Sequence, residues 1–317
     1  MNDFPLIIEN DTDIRDLTGM QGWLDETIPA LKSSLDRVGA ILFRGFPVAS
    51  AEDFDTFART FGYGEFTYAE SLSNAVRINL TPRVFTANEA PPEVEIYLHH
   101  EMAQTPVSPD KIFFCCLAAA EQGGATPLCR SDRLYAAFRA AHPDWAAKFA
   151  ELGLRYTTHM PASDDFESGQ GRSWRSTLSV ETIEAAEAKL RLLDYTWRWQ
   201  PDGSLVVTTC ALPAVRHLPD GSESFYNQLI AAWRGWRKET HPVVTFGNGE
   251  VIPEDAVGSI VDLADQFIVP AAWQDGDIAL IDNHRVMHGR YPYGGGRKRR
   301  VLVCLARDEG IKREGKL

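Results

Sequence analysis

The chain has 317 residues, of which 44% are hydrophobic and 24% charged, and its formal net charge is −12. This composition is that of a globular protein long enough to bury a substantial core. The acidic balance argues against nucleic acid or an anionic membrane as a partner. No stretch approaches the roughly 18 uninterrupted apolar residues that a membrane span needs. Because all-β barrels often reach this length as one unit, we expect residues 1–317 to form a single domain.

The cysteines and the N-terminus bear on the cellular setting. The five cysteines are an odd number and include no C-x-x-C zinc pair. Cys115 and Cys116 lie in an apolar run, where cysteine behaves as a small core residue. The first residues, Met1 to Phe4, lack the basic and apolar segments of a signal peptide. These features predict a reduced, cytoplasmic setting.

In chain order, the first predicted elements are helices around a buried strand. Residues 20–38 have apolar residues at helical spacing, and this helix is predicted to stop at Gly39. Residues 40–43 form an apolar run that predicts a buried strand. Ser50 precedes a second amphipathic segment, and Ser131 precedes a third, so both serines are predicted to cap helices.

Two stretches predict long loops. Residues 62–92 are polar and rich in Thr, Asn and Pro, and residues 160–177 are polar and rich in Ser and Gly. Long loops without structure of their own are often lids over functional sites, so we expect both to cover an active site. In the first loop, Asn79 and Arg83 are the side chains that we expect to contact substrate. The alternative for Arg83 is a solvated loop arginine.

A short segment, residues 97–102, carries the first chemically informative motif, His-x-Glu. In an extended strand, side chains two residues apart point to the same side, and neighbouring ones point to opposite sides. His99 and Glu101 can therefore face one point while His100 turns away. A lone His-x-Glu is most often a solvated pair or a core histidine, so the interpretation depends on a third ligand.

The third ligand is expected from residues 277–290, where a buried strand leads through an Asp-Asn turn to His284 and His288. We prefer His288, because it lies beyond the turn, where the chain can start back along a barrel. His284 is the rival, since it directly follows the turn. Two imidazoles and one carboxylate on one face form the ligand set of non-haem Fe(II) sites that react with oxygen.

These motifs resemble the taurine dioxygenase-like, clavaminate synthase-like family of Fe(II)/2-oxoglutarate oxygenases. The chain looks most similar to the syringomycin-type amino acid hydroxylase branch, which carries His-x-Glu. The resemblance implies a mainly β fold with flanking helices, built on a double-stranded β-helix (jelly-roll, cupin-like) core, in which remote strands converge on one cavity. The matching segments are residues 41–46, 99–102, 113–115, 123–127, 225–228, 245–249 and 273–306.

The resemblance also implies residues that bind the cosubstrate and substrate. Thr126 matches a threonine that hydrogen-bonds the cosubstrate carboxylate. Arg299 lies eleven residues after His288, the family's interval for the arginine that binds the far carboxylate of 2-oxoglutarate. Arg300 is the alternative, because the opposite strand register would turn it inward. Asn227 matches a residue that faces the cavity, and its alternative role is a strand-to-helix cap.

The activity implied is that of an Fe(II)- and 2-oxoglutarate-dependent dioxygenase, an oxidoreductase that uses O2. The expected reaction is hydroxylation, or another oxidation, of an unactivated C–H bond in an amino acid or amino-acid-derived small molecule. Such a substrate, free or tethered to a carrier protein, would belong to natural product biosynthesis. Glu101 argues against a halogenase, which lacks this carboxylate. The alternatives are a metal-dependent hydrolase or lyase and a non-catalytic jelly-roll that binds a ligand. An oligomer is compatible with the dioxygenase and with both alternatives.

Overall fold

The computed structural model describes residues 4–67, 71–73, 75–87, 90–165, 171–235 and 243–310. Helices and strands alternate along the described residues. The helices are α1 (Leu17–Val38), α2 (Ala51–Thr60), α3 (Ser131–Ala141), α4 (Pro143–Leu152), α5 (Trp174–Leu178), α6 (Ile183–Leu192), α7 (Leu229–Gly235) and α8 (Glu254–Phe267). None of these described helices combines the length and apolar character needed to cross a bilayer.

The strands of the described residues belong to one seven-stranded sheet, two four-stranded sheets and two two-stranded sheets. They are β1 (Leu6–Glu9), β2 (Ala40–Arg44), β3 (Gly64–Glu65), β4 (Val84–Thr86), β5 (Ile96–His99), β6 (Lys111–Ala118), β7 (Gln122–Gly123), β8 (Thr126–Arg130), β9 (Leu154–Met160), β10 (Thr196–Trp199), β11 (Leu205–Thr208), β12 (Arg216–His217), β13 (Glu223–Ser224), β14 (Val244–Phe246), β15 (Ile268–Ala271), β16 (Ile278–Asp282), β17 (Val286–Arg290), β18 (Tyr293–Gly294) and β19 (Arg300–Arg307).

The largest sheet has seven strands in the order β1-β2-β16-β6-β19-β3, with β4 also paired to β19. Its central strands are apolar on both faces, as expected of strands buried on both sides. Along β19, Leu302 and Cys304 face the helices α1 and α2, whereas Val301, Val303 and Leu305 face the interior. The sheet therefore separates an outer helical layer from an inner core.

A four-stranded sheet, β15-β8-β17-β5, packs on the inner face of the large sheet. Leu128 and Val286 from this sheet share one buried core with Phe114 and Val303 from the large sheet. Every apolar side chain removed from water in this core contributes about 1.5–3 kcal/mol when fully buried. Two sheets that share a core hold β5 and β17 at fixed positions, and these strands carry the candidate ligands.

The outer helical layer follows the sequence predictions closely. Helix α1 ends where Gly39 adopts a left-handed conformation, with φ of 88°. Strand β2 follows at once, and Ser50 forms a capping box with Asp53 at the start of α2. On the outer face, Phe43 and Phe57 meet edge to face at 5.1 Å between ring centroids. The predicted helix, strand and Ser50 cap are confirmed.

The two predicted loops contain little regular structure where they are described. Residues 62–92 contribute only the short strands β3 and β4, and residues 160–177 include the start of helix α5. Residues 68–70, 74, 88–89 and 166–170 of these loops lie outside the described residues. The remaining segments approach one another beside the four-stranded sheet, where they line a common cavity.

Candidate metal centre

Three side chains from remote segments converge at the edge of the four-stranded sheet. His99 ends β5 and is the register partner of His288 on the antiparallel strand β17. The Oε2 atom of Glu101 lies 3.9 Å from Nε2 of His99 and 3.4 Å from Nε2 of His288. One ligand atom from each residue lies within 4.8 Å of the others. No other group of three His, Cys, Asp or Glu side chains in the described part of the chain does this.

The close approach of β17 to β5 depends on the residue after His288. A Cβ added to Gly289 would lie 2.4 Å from the carbonyl oxygen of Ile96, which is closer than atoms can approach. The register shifts between His288 and Arg290, as it does at a β-bulge. Only glycine allows the strands to meet at this spacing. The glycine that follows His288 in the sequence is therefore a steric requirement of the site.

His100 turns away from the triad, as strand alternation predicts. Its Nδ1 donates to the carbonyl of Asn283, and its Nε2 lies 2.9 Å from the hydroxyl of Ser131. Burial lowers the pKa of His100 well below its ordinary value. The prediction that Ser131 caps α3 is wrong, because its hydroxyl serves this buried network and the helix has no side-chain cap.

The protonation states of the triad suit a metal. Nδ1 of His99 lies 2.8 Å from the carbonyl oxygen of Tyr97, which can only accept, so Nδ1 carries the proton and Nε2 keeps its lone pair. Burial, with His99 nearby, lowers the pKa of His288 to about 4. Burial alone would raise the pKa of Glu101, but opposing interactions, of which that with the Arg77 guanidinium is the largest, hold it well below its ordinary value.

At neutral pH the site therefore presents the neutral imidazole of His288 and the ionised carboxylate of Glu101, with Nε2 of His99 facing them. Cis ligands about 2.1 Å from one ion lie about 3 Å apart, so the observed distances need only a small contraction. This donor set fits Fe(II) and leaves the other side of the ion for further ligands. His99, Glu101 and His288 are thus the residues that would hold the metal.

Two amide side chains fix the backbone of the ligand segment. The Oδ1 atom of Asn283 accepts from the backbone N–H of Glu101 at 2.8 Å, and its Nδ2 donates to the Glu101 carbonyl at 3.0 Å. Gln228 donates to the carbonyl of His100 at 2.9 Å. Such outer contacts orient metal ligands. In the sequence, Asn283 is identifiable only as part of a turn. Its position beside Glu101 comes from a contact between segments that are far apart in the chain.

Arg77 is a second residue that sequence analysis missed. Its Nη2 lies 2.8 Å from Oε1 of Glu101, with the two side chains only 7% and 5% exposed. The guanidinium also lies over the ring of Phe85, 5.4 Å from its centroid. Arg77 belongs to the loop in which we expected Asn79 and Arg83 to be important. Composition alone does not distinguish the three polar residues of this loop.

The two loop residues predicted to contact substrate lie in different surroundings. Asn79 is exposed, forms an isolated bridge with Phe85 and lines a cavity together with Arg77. Arg83 forms an ion pair with Glu65 at 2.6 Å, at the edge of the large sheet. Asn79 therefore shares a cavity with Arg77, the partner of Glu101, whereas Arg83 is engaged elsewhere.

Asn227 is buried behind the ligand segment. Its Oδ1 accepts from the backbone N–H of Leu229 at 2.9 Å, at the start of α7, and its Nδ2 lies 3.3 Å from the carbonyl of Ala214. Its own carbonyl accepts from the N–H of His100. These contacts match the capping role that the sequence left open, and they make Asn227 a support for β5.

The residues expected to bind the cosubstrate lie at or just before the starts of β8 and β19, which belong to different sheets. Thr126 is the first residue of β8, and its hydroxyl accepts a hydrogen bond from Nε1 of Trp273 at 3.0 Å. Arg299 is partly buried beside Tyr293, and burial lowers the pKa of its guanidinium. Arg300 is exposed, and the register of β19 shifts directly after it. Both arginines line a cavity of about 630 Å³, but only Arg299 is partly buried.

The rival histidine, His284, lies in a separate polar cluster. Its Nε2 is 3.1 Å from Oδ1 of Asp110 and 3.0 Å from Nη1 of Arg216. The carbonyl of His284 accepts from the hydroxyl of Ser224. His284 is therefore not part of the group formed by His99, Glu101 and His288.

Comparisons with known proteins agree with this geometry. Residues 10–305 match the family model "Taurine catabolism dioxygenase TauD, TfdA family". A clavaminate synthase-like protein of Arabidopsis thaliana is 37% identical over 281 residues, which cover 87% of this chain and 84% of that protein. The dapdiamide synthesis protein DdaC of Enterobacter agglomerans is 28% identical over 285 residues, with coverage of 85% and 83%. The crystal structure of a taurine dioxygenase from Burkholderia xenovorans has the same fold, with a TM-score of 0.52, 17% identity and coverage of 89% and 82%.

Proposed function

We propose that this chain oxidises an unactivated C–H bond of an amino acid or amino-acid-derived substrate. The chain belongs to the taurine catabolism dioxygenase TauD, TfdA family and is an Fe(II)- and 2-oxoglutarate-dependent dioxygenase. Enzymes of this family use Fe(II), 2-oxoglutarate and O2. Hydroxylation is the outcome that we assign. We further propose that residues 1–317 form one domain with a jelly-roll core, in keeping with the two sheets that share a core.

The observation that carries the proposal is the convergence of His288 on β17 with His99 and Glu101 from the end of β5 and the turn after it. Bound there, Fe(II) would activate oxygen, while the protein supplies placement and water exclusion. We assign Arg299 to the far carboxylate of 2-oxoglutarate, because a guanidinium is a permanent, planar counter-ion for a carboxylate in an apolar site. Thr126 is assigned to the same cosubstrate, since this residue begins β8, the strand that pairs with β17.

We assign the substrate to the cavity that the two loops share. Arg77 and Asn79 line it from the first loop, and Asp164, Arg172 and Arg175 line it from the second, around a volume of about 820 Å³. A cavity with charges of both signs suits a substrate that carries amino and carboxyl groups. Both predicted loops thus contribute to one binding region beside Glu101.

The biological setting is proposed on separate grounds. A relative named for dapdiamide synthesis supports a role in natural product biosynthesis. The substrate is either free or tethered to a carrier protein, and the experiment below tests both forms. Five free cysteines, four of them buried, are in keeping with a cytoplasmic protein.

The test begins with purified protein, Fe(II) and 2-oxoglutarate without oxygen. We expect a weak visible charge-transfer band, which a zinc hydrolase cannot give. Oxygen and a library of free and carrier-bound amino acids are then added, and succinate release is measured. Glu101→Ala is the control, and it should lose both signals. Absence of the band and of succinate with every substrate would refute the proposal, and unchanged ligand binding in His99→Ala would favour a non-catalytic role.

A further inference from the structure

The two oxygens of the Glu101 carboxylate have different partners. Oε2 faces the imidazoles of His99 and His288, at 3.9 and 3.4 Å. Oε1 faces the opposite way and lies 2.8 Å from the guanidinium of Arg77. Both side chains of this ion pair are almost fully buried. Because a buried charge is stable only when it is paired, neither oxygen is free to turn at little cost.

Arg77 is itself held by contacts on the side away from the metal centre. The neighbouring residue, Ile78, is bound to β4 through two hydrogen bonds with Thr86, at 3.1 and 2.9 Å. The guanidinium of Arg77 lies over the ring of Phe85, which belongs to the same strand. The position of the cation is therefore set by β4 and the large sheet.

From this geometry we propose that Arg77 is a positioning residue that retains Oε1 of Glu101, so that the carboxylate offers the metal one oxygen. The inference rests on the proposed function and names a residue for which the family resemblance implied no role. Carboxylates bind metals through one oxygen or through both. With one oxygen, three protein donors leave three positions on a six-coordinate ion. With both, Oε1 would occupy one of these three positions, and 2-oxoglutarate would have to compete with it wherever the two need the same one.

The charge of Arg77 makes this role distinguishable from simple support of the metal site. A guanidinium close to a divalent cation repels it, but the same guanidinium keeps Glu101 ionised, so its two effects on metal binding oppose each other. Removing the cation should therefore leave metal affinity close to its wild-type value. Removing the hold on Oε1 should instead weaken the cosubstrate, because the freed oxygen competes for a position that 2-oxoglutarate needs. The two affinities are expected to change independently.

The experiment compares Arg77→Met and Arg77→Lys with Arg83→Met, a control in the same loop whose arginine pairs with Glu65. Calorimetric titration with Mn(II) gives the metal affinity, and the anaerobic charge-transfer band of the Fe(II)-loaded protein gives the 2-oxoglutarate affinity. For Arg77→Met we expect Mn(II) binding close to that of the wild type and a dissociation constant for 2-oxoglutarate that is roughly 10- to 100-fold higher, the factor expected for loss of a hydrogen bond to a charged group. Arg77→Lys should recover part of this loss, since it keeps the charge and a donor.

Three results would overturn the proposal. One is wild-type 2-oxoglutarate affinity in Arg77→Met. Another is a parallel loss of Mn(II) and 2-oxoglutarate binding, which would make Arg77 a general support of the fold. The third is an equal effect of Arg83→Met. If Arg77→Met does not fold, as judged by circular dichroism, Arg77→Lys carries the test through its intermediate cosubstrate affinity. Failure of the proposed function would appear separately, as absence of the band in the wild type.

Discussion

His99 and His288 face each other across two antiparallel strands, with their imidazole centroids 4.4 Å apart. His99 is oriented from behind by the carbonyl of Tyr97, and the ring of Phe114, from the large sheet, lies 5.3 Å from His288. Both rings therefore stand on strands, and their orientations are set by groups that do not bind the metal. Sites built in this way are more exact than sites on loops.

The choice of the third ligand can be tested by replacing each of the two histidines of residues 277–290, His284 and His288, with alanine. His288→Ala should weaken Mn(II) binding by at least about 100-fold, because a direct ligand contributes more than an outer contact. His284→Ala should leave the affinity near that of the wild type, since His284 is engaged with Asp110 and Arg216. Calorimetric titration measures both variants. The reverse pattern would identify His284 as the ligand.

The roles of Arg299 and Arg300 can be distinguished by steady-state kinetics. Arg299→Met should raise the KM for 2-oxoglutarate roughly 10- to 100-fold, because hydrogen bonds to charged groups contribute about 1.5–3 kcal/mol. Arg300→Met, which removes an exposed side chain of the same kind, should change the KM little. Succinate formation at varied 2-oxoglutarate concentration gives both values. A larger effect in Arg300→Met would mean that the opposite register places that residue inward.

Gly289 offers a steric test of the strand pairing. We expect Gly289→Ala to lower the free energy of unfolding by about 1–3 kcal/mol, since its Cβ would displace β17 from β5. Metal affinity should fall with it, because the displacement separates His288 from His99. Gly258→Ala is the matched control: a Cβ there meets nothing within 4 Å in helix α8, and alanine favours the helix. Chemical denaturation of both variants checks the difference, and an equal response would refute the steric argument.

The metal-free protein should become less stable below pH 6.5. His100 has an ordinary pKa of 6.5, and burial lowers the folded-state pKa well below that value. The unfolded chain therefore binds a proton that the folded chain does not, so this contribution to stability is present above pH 6.5 and is lost as the pH falls. Between pH 7.5 and 5.5 the loss is about 1.4 kcal/mol for one histidine.

The variant His100→Gln isolates this contribution. His288, with a pKa of about 4, has the same effect in both proteins and cancels in the comparison. Urea unfolding at the two pH values should show a smaller decrease in the free energy of unfolding for the variant than for the wild type. An identical decrease in both would show that His100 is not held in its neutral form.

Local patterns were sufficient to predict the elements whose formation depends on neighbouring residues. Helix α1, its stop at Gly39 and the capping box at Ser50 follow from spacing and capping within a few positions. Ser131 shows where such reasoning fails. It stands at the start of a helix, as a capping serine would, but it is the first helical residue, its hydroxyl contacts His100, and the helix has no side-chain cap. Tertiary contacts replaced the local role.

The candidate site was predicted to a similar extent and for a similar reason. Strand alternation correctly separated His99 from His100, because the direction of a side chain is a local property. Arg77 and Asn283 were missed because their value depends on lying beside Glu101, which no spacing in the sequence expresses. The family resemblance could not supply them either, since it transfers only the residues of its motif.

The pairing of β5 with β17 has a consequence beyond chemistry. An ion bound by His99, Glu101 and His288 would fasten the two borders of a long intervening segment that contains the helices from α3 to α8. Metal held only by the native arrangement adds its binding free energy to folding. The same ion would thus link an early strand to a late one, and removing it with a chelator should lower the free energy of unfolding.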